Sequence, residues 1–287
     1  MQIGAYKIYP IETGTFALDG GAMFGVIPKN LWQKSNPADA QNRIDLALRA
    51  LLLKSHDKII LIDCGIGEKF DAKWSGIYKI DHSTHSLVNS LAKIHLTPDD
   101  ITDVILSHLH FDHAGGVTYI KHGSLNLTFT NALHYVQEKQ WLWALNPSQK
   151  DRASFLKENL VPLEKSGQLR LLTGYQSPFP EIEMPLMFGH TPAMQLVPIG
   201  DHKTSLLYTA DLIPTRSHIP VPWIMAYDNN PMQTLKEKQK ILKDAVKYKR
   251  ILFFEHDPRY VASYVNFDSK KGYSAGTSFG ASDFNDL

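Results

Sequence analysis

The stretch Ser107-His108-Leu109-His110-Phe111-Asp112-His113-Ala114-Gly115-Gly116 places four side chains that can bind a metal within six residues. An apolar strand is predicted directly before it, at 103–107, and a glycine-containing turn follows. His108 and His110 can point to the same side of an extended segment, and the other two lie on the turn. Imidazole and carboxylate ligands together suit zinc, iron or manganese. The stretch therefore predicts a metal site at a strand end.

Three further candidate ligands follow apolar strands later in the chain. They are His190 in Phe188-Gly-His-Thr-Pro, Asp211 in Tyr208-Thr-Ala-Asp and His256 in Phe253-Phe-Glu-His-Asp. Functional residues often follow the ends of scaffold strands, where loops meet at one rim of a sheet. We therefore expect these three residues to complete the ligand set.

The combination of these motifs resembles the metallo-β-lactamase superfamily over roughly residues 3–256. The resemblance implies an α+β fold of the four-layer αββα sandwich type. It also implies two divalent metal ions, with zinc expected and iron or manganese as alternatives. By the same resemblance His108, His110 and His190 hold one ion, and Asp211 bridges the two. The second ion is held by Asp112, His113 and His256.

An earlier aspartate, Asp63, ends an apolar strand in Leu61-Ile62-Asp63-Cys64-Gly65. It matches the superfamily's early aspartate, which supports ligand histidines from behind; such partners fix the ring tautomer. The alternative is an ordinary turn aspartate at a strand end. Cys64 is interpreted as a small buried side chain rather than a nucleophile.

The predicted activity is hydrolysis by an activated water. Two ions roughly 3.5–4 Å apart lower the pKa of a shared water and polarise the bond to be cleaved. Asp112 is the predicted catalytic residue, because it can orient the attacking group or pass its proton to the leaving group. The expected substrate is a small molecule with an ester, lactone or related bond.

Within the superfamily, the main motif resembles N-acyl homoserine lactonases and methyl parathion hydrolases. Many of those lactonases carry a tyrosine shortly after the bridging aspartate, where this chain has Leu212-Ile213-Pro214. Tyr227 and Tyr208 are the candidates to replace it. Ala193 is a second departure, because many relatives carry glycine there.

Two other activities stay open at this level. One is a glyoxalase-II-like thioesterase, although no basic cluster that would bind a glutathione carboxylate is found near the carboxy terminus. The other is an oxidoreductase of the persulfide dioxygenase type, which uses one iron at positions matching His108, His190 and Asp211. Metal content separates the second alternative from a two-metal hydrolase.

Aromatic and apolar residues outside the ligand motifs could line a substrate pocket. An acyl chain or an aromatic leaving group would suit such a lining, whereas core packing or a homodimer contact is the alternative. The candidates are Met23, Phe24, Trp32, His218, Trp223 and Tyr227.

Composition excludes several classes of protein. Of the 287 residues 43% are hydrophobic and 21% charged, as in ordinary globular proteins. The net charge of +1 gives no basic field for nucleic acid. The single cysteine allows no internal disulfide, and the sequence shows neither an export signal nor a membrane span. We expect a cytoplasmic protein with a small-molecule substrate and neither a nucleic-acid nor a membrane partner.

The length of the chain is still that of one domain, so we expect a single domain over residues 1–287, with 259–287 as a polar, loosely ordered C-terminal extension. Hairpin strands are expected over 3–18 with a turn at Gly20-Gly21, followed by a long loop over 22–43. Paired strands are expected at 46–53 and 58–62, and a lysine-rich helix at 232–247.

Overall fold

The computed structural model describes residues 1–175, 177–201 and 204–285. The chain divides into two compact units. The first unit comprises residues 1–4, 17–47 and 175–287, and the second comprises residues 5–16 and 48–174. The single-domain organisation, the cytoplasmic location and the homodimer stay predictions.

The described residues form both strands and helices. The strands are β1 (Gln2–Ile3), β2 (Tyr6–Asp19), β3 (Arg43–Lys54), β4 (Ile59–Ile62), β5 (Asp103–Ile105), β6 (Thr118–Lys121), β7 (Ser124–Leu127), β8 (Leu133–Gln137), β9 (Leu169–Leu172), β10 (Leu186–Met187), β11 (Met194–Gln195), β12 (Val197–Gly200), β13 (Ser205–Tyr208), β14 (Ile251–Phe253), β15 (Ala262–Asp268) and β16 (Gly272–Phe279). The α-helices are α1 (Gly20–Phe24), α2 (Lys29–Trp32), α3 (Ala72–Tyr78), α4 (Leu87–Ala92), α5 (Phe111–Ala114), α6 (Glu138–Leu145), α7 (Lys157–Lys165), α8 (Pro231–Lys247) and α9 (Ala281–Asn285). None of these described helices is long and apolar enough to cross a bilayer.

In the second unit, the strands that position the main motif are ordered β2-β3-β4-β5-β8-β9. β3 and β4 pair antiparallel with Leu51 opposite Ile62, which confirms the predicted strand pair. β4, β5, β8 and β9 pair in parallel. Parallel strands of this kind are mostly apolar because both faces are covered. Buried Leu52, Leu61 and Val104 accordingly belong to the core of this unit.

In the first unit, a five-stranded sheet has the order β12-β13-β14-β15-β16. β13 and β14 are parallel, with Tyr208 opposite Phe253, so that the segments after both strands leave at the same edge. α8 packs against β15 through a buried face that includes Ile241 and Leu242. The predicted helix at 232–247 is therefore confirmed.

The prediction for the amino-terminal segment is wrong in two respects. β2 is one continuous strand, and Gly20-Gly21 starts α1 instead of forming a turn, with Asp19 accepting a hydrogen bond from the Ala22 amide at 2.8 Å. Gly20 is needed for packing, since a Cβ there would lie 2.4 Å from the Trp32 ring. The predicted loop over 22–43 contains α2.

The prediction of a loosely ordered C-terminal extension is also wrong over the described residues. β15 and β16 form an antiparallel pair that extends the sheet, with Val265 opposite Ala275 and Asp268 opposite Gly272. Small and polar residues suffice here because β15 pairs with β14 and contributes backbone hydrogen bonds whatever its side chains.

Candidate metal centre

The motif of the second unit begins two residues after β5. His108 and His110 lie on the extended segment, and Asp112 and His113 lie in α5. All four side chains are buried, with exposed fractions of 7% or less. The rings of His108 and His113 have centroids 3.9 Å apart, and the His113 Nε2 lies 3.9 Å from the Asp112 Oδ2. Nitrogen and oxygen ligand atoms therefore converge within this unit.

Asp63 contacts residues of this group on the side away from the ligand atoms Nε2. Its carboxylate accepts hydrogen bonds from the Ser107 amide at 2.7 Å and the Ser107 hydroxyl at 2.5 Å, and it lies 3.0 Å from the His113 Nδ1. The Ser107 hydroxyl oxygen in turn lies 3.0 Å from the His108 Nδ1. Because these contacts use Nδ1 of both rings, Nε2 is the nitrogen that would bind a metal. The geometry fits the predicted supporting role of Asp63.

The two glycines that close the motif permit close packing of backbone. A Cβ at Gly115 would lie 2.0 Å from the Ile66 carbonyl oxygen, and one at Gly116 would lie 2.1 Å from that of Cys64. Cys64 itself is buried, as predicted, and its thiol donates to the His113 carbonyl oxygen at 3.2 Å. The backbone of the ligand turn is thus held against the segment that follows Asp63.

The first unit carries the other three candidate ligands. His190 follows β10, Asp211 lies in a 3-10 turn (Ala210–Leu212) after β13, and His256 follows β14. Parallel pairing of β13 with β14 explains why Asp211 and His256 meet. The Asp211 Oδ2 lies 3.2 Å from the His190 Nε2, and its Oδ1 lies 3.3 Å from the His256 Nε2. Each carboxylate oxygen therefore faces a different imidazole, as a bridging carboxylate would.

Both histidines of the first unit have their Nδ1 atoms held. The His190 Nδ1 lies 3.0 Å from the Asp228 Oδ1, and the His256 Nδ1 lies 2.9 Å from the Ala47 carbonyl oxygen. The Glu237 carboxylate accepts hydrogen bonds from the amides of Phe188 and Gly189 at 2.8 and 3.1 Å. These contacts present Nε2 of both rings to Asp211.

Asp228 and Glu237 were not among the sequence candidates. Asp228 lies 38 residues after His190 and Glu237 lies on α8, so neither shares a motif with the ligand that it supports. The one signal in the sequence is an acidic residue on the face of α8 that also carries Ile241, Leu242 and Ala245.

The backbone at Ala193 explains why many relatives carry glycine there. Its φ is 59°, in the left-handed region that favours glycine, and its side chain is fully buried. The turn after His190 is nevertheless formed, and the ring still faces Asp211. This departure from the family pattern leaves the ligand in place.

The predicted pocket residues fall into two groups within the first unit. Met23, Phe24, Trp32 and His218 are buried, with exposed fractions of at most 1%, whereas Trp223 is half-buried and Tyr227 is 37% exposed. The Phe24 ring stacks on His218 at 4.6 Å and on Trp32 at 5.4 Å, and it meets Trp223 edge-on at 5.6 Å. Their role in binding substrate stays a prediction.

His218 is built into this aromatic group as a neutral ring. Its Nδ1 lies 2.7 Å from the Thr215 hydroxyl and its Nε2 lies 2.8 Å from the Met23 carbonyl oxygen. Burial, with help from the charge of Lys238, lowers the pKa of His218 to about 3. Within the first unit, His218 therefore ties α1 to the segment after Asp211.

Of the two tyrosines considered as replacements for the lactonase tyrosine, the structure excludes Tyr208. Its ring is fully buried and its hydroxyl donates to Glu255, which is also buried. Tyr227 has exposed surface and directly precedes Asp228. Tyr227 is therefore the candidate that remains.

Comparison with known proteins agrees with this chemistry. Residues 48–256 match the family model of the metallo-β-lactamase superfamily, a range that includes all seven candidate ligands. The chain is 27% identical to an N-acyl homoserine lactonase of Bacillus thuringiensis over 227 residues, which cover 75% of this chain and 82% of the relative.

Two solved structures show how far the fold is shared. A probable metal-dependent hydrolase from Staphylococcus aureus is 30% identical, covers 98% of both chains and gives a TM-score of 0.87. The dizinc quorum-quenching lactonase AidC, solved in complex with a product, is 22% identical, covers 97% of both chains and gives a TM-score of 0.80. The predicted α+β fold of the metallo-β-lactamase type is confirmed. The chain belongs to the metallo-β-lactamase superfamily, as its motifs predict, and it is a metal-dependent hydrolase.

Proposed function

We propose that the protein opens the lactone ring of N-acyl homoserine lactones and that it uses two zinc ions to do so. Curated relatives that match 75% of the chain are N-acyl homoserine lactonases. The observation that carries the proposal is the Asp211 carboxylate, which turns one oxygen to His190 and the other to His256.

The proposed ligand set is the one that the superfamily resemblance implies. One ion is held by His108, His110 and His190, the other by Asp112, His113 and His256, and Asp211 binds both. A set of five imidazoles and two carboxylates fits zinc, which accepts nitrogen and oxygen ligands. The buried contacts of Asp63 and Asp228 hold the rings of His113 and His190 with Nε2 ready to bind.

When bound, the two ions supply Lewis acidity and lower the pKa of a water. The remaining chemistry belongs to side chains of the protein. Asp112 holds or passes the proton that the leaving ring oxygen must receive. The Tyr227 phenol donates a hydrogen bond to the lactone carbonyl oxygen, in place of the tyrosine absent from Leu212-Ile213-Pro214.

The first test is metal content together with turnover. Purified protein should contain about two zinc ions per chain, and it should convert N-hexanoyl homoserine lactone to the ring-opened acid, observed by mass spectrometry. Asp211→Ala should lose both the second ion and activity, because the carboxylate proposed to bridge the two ions is removed. Asp45→Ala, an exposed aspartate of the same unit, is the matched control.

Substrate panels separate the alternatives. Turnover of a glutathione thioester without lactone turnover would favour the thioesterase. One tightly bound iron and no hydrolysis would favour the dioxygenase. Two bound ions that survive Asp211→Ala would refute the bridging assignment.

A further inference from the structure

The segment between Asp211 and α8 carries two of the predicted pocket residues, Trp223 and Tyr227. Apart from one 3-10 turn at Arg216–His218, it has no helix or strand between 213 and 230. Its position must therefore come from contacts outside regular secondary structure, among them backbone hydrogen bonds to other segments. Residues 220–223 form a tight turn, in which the Trp223 amide donates to the Pro220 carbonyl oxygen at 3.0 Å.

Lys238 of α8 holds this turn. Its Nζ donates to the carbonyl oxygens of Pro220 at 2.9 Å and of Trp223 at 2.6 Å. The side chain has no exposed surface, although lysine is almost never fully buried without partners. Burial lowers the pKa of Lys238 to about 7, while the Asp228 carboxylate opposes that fall.

The position of Lys238 on the helix is that of a core residue. Thr234, Ile241, Leu242 and Ala245 are buried on the same helix. Packing alone would be satisfied by leucine or methionine, at a lower desolvation cost than that of an ammonium group. The contacts with the two carbonyl oxygens give a reason for a lysine at this place.

The turn that Lys238 holds determines the position of the Trp223 ring. That ring meets Phe24 edge-on, and Phe24 is stacked between Trp32 and His218. Trp223 is the member of this group that is half-buried, whereas the other three are inside. It is therefore the ring that can contact a ligand.

The other end of the same segment is fixed to a predicted ligand. The Asp228 carboxylate contacts the His190 ring at 3.0 Å, and the Ala226 amide donates to the Ala22 carbonyl oxygen at 2.8 Å. The segment from 220 to 228 thus runs from the Lys238 contacts to the ring of His190, all within the first unit.

We infer that Lys238 is a positioning residue for substrate selectivity, which holds residues 220–223 so that the Trp223 ring packs against the apolar acyl chain of the substrate. This inference rests on the proposed lactonase function. Lys238 acts through Trp223 and does not itself contact the substrate. Binding of substrates with long acyl chains should therefore depend on Lys238, whereas binding of substrates with short acyl chains should not.

The test compares Lys238→Met and Trp223→Leu with Lys240→Met, which removes an exposed lysine of the same helix. Substrates are N-butanoyl and N-decanoyl homoserine lactone. In Lys238→Met we expect the KM for the decanoyl substrate to rise about tenfold, as expected from losing hydrogen bonds to a charged group. In Trp223→Leu we expect a rise of about the same size, because the apolar contact between the ring and the acyl chain is reduced. The KM for the butanoyl substrate, kcat and zinc content should change less than about twofold, since the acyl chain contributes binding rather than chemistry.

A double variant of Lys238 and Trp223 should be no worse than either single variant, because the two residues act through one contact. Equal loss of kcat for both substrates, or additive effects on KM, would overturn the inference. Should Lys238→Met fail to fold, Trp223→Leu still tests the inference. If Trp223→Leu changes the KM for the butanoyl and the decanoyl substrate by the same factor, the inference is refuted.

Hydrogen exchange separates this inference from the proposed function. Absence of lactone turnover by the wild-type protein would remove the proposed function and the acyl-chain role of Trp223, but not the role of Lys238 in holding residues 220–223. In Lys238→Met the amides of Ile219, Val221, Trp223 and Ile224 should still exchange about tenfold faster than in wild type, with exchange in α8 unchanged. Unchanged exchange in that segment would show that Lys238 does not hold it.

Discussion

Replacing Asp63 by asparagine should weaken one metal site more than the other. In Asp63→Asn an amide nitrogen takes the place of the oxygen that faces the Ser107 hydroxyl and the His113 Nδ1. The Ser107 hydroxyl can reverse, because it both donates and accepts. The His113 ring cannot, because Nδ1 must keep its proton when Nε2 binds a metal. In the variant, the N–H of the new asparagine side chain therefore faces the N–H at Nδ1 of His113, and no hydrogen bond can form there.

The expected magnitude follows from that one contact. A hydrogen bond with a charged partner contributes about 1.5–3 kcal/mol, which corresponds to roughly 10- to 100-fold in affinity. Loss of a carboxylate behind a ligand histidine typically costs the same factor in metal affinity. We therefore expect the zinc ion held by His113 to bind roughly 10- to 100-fold more weakly.

Competition with a chromophoric chelator measures the affinities of both sites. Asp57→Asn, which changes an exposed turn aspartate, is the matched control and should match wild type. Urea unfolding of the metal-free protein measures any general destabilisation. Wild-type affinity at both sites, or equal weakening of both in a protein of unchanged stability, would refute the argument about His113.

Three further predictions concern other parts of the chain. Gly116→Ala should lower the free energy of unfolding by about 1–3 kcal/mol in urea titrations, because its Cβ would meet the Cys64 carbonyl oxygen at 2.1 Å; Gly76→Ala, with nothing within 4 Å, should be neutral or stabilising. Tyr227→Phe should reduce kcat/KM for lactones about tenfold without changing the free energy of unfolding. An unchanged kcat/KM would show that the phenol takes no part in the mechanism. The folded-state pKa of His218 is about 3, below the ordinary 6.5, so the unfolded chain binds its proton first as the pH falls. The free energy of unfolding should therefore drop between pH 6.5 and about 3 by up to about 1.4 kcal/mol per pH unit from this group, and His218→Gln should show a correspondingly shallower slope in metal-free protein.

Several parts of the fold follow from local pattern. The apolar runs at β3 and β4 and the periodicity of α8 are visible in the sequence because covered strands and amphipathic helices leave a regular trace. The same reasoning failed where β2 ends. Gly20 resembles a turn residue, but it begins α1 and allows close packing against Trp32. It failed again at β15 and β16, because these strands are held by backbone pairing, which does not require an apolar run that the sequence would show.

Some residues of the candidate site could likewise be predicted from the sequence, and others could not. Residues that can bind a metal are chemically distinctive, so the sequence by itself predicted a ligand group within His108 to His113, with His190, Asp211 and His256 as its complement. Asp63 was recognisable because it ends a strand in the same family pattern. Candidate ligands are recognised by residue type and short spacing, and the sequence contains both.

Only the tertiary structure decided which residues hold the ligands and the adjoining segment. Asp228 meets His190 across 38 residues, and Lys238 meets Pro220 across 18. Burial also distinguished Tyr208, whose hydroxyl is committed to Glu255, from Tyr227. Hydrogen bonds between distant segments and the desolvation of a lysine or histidine depend on how the chain packs, and no local spacing in the sequence specifies them.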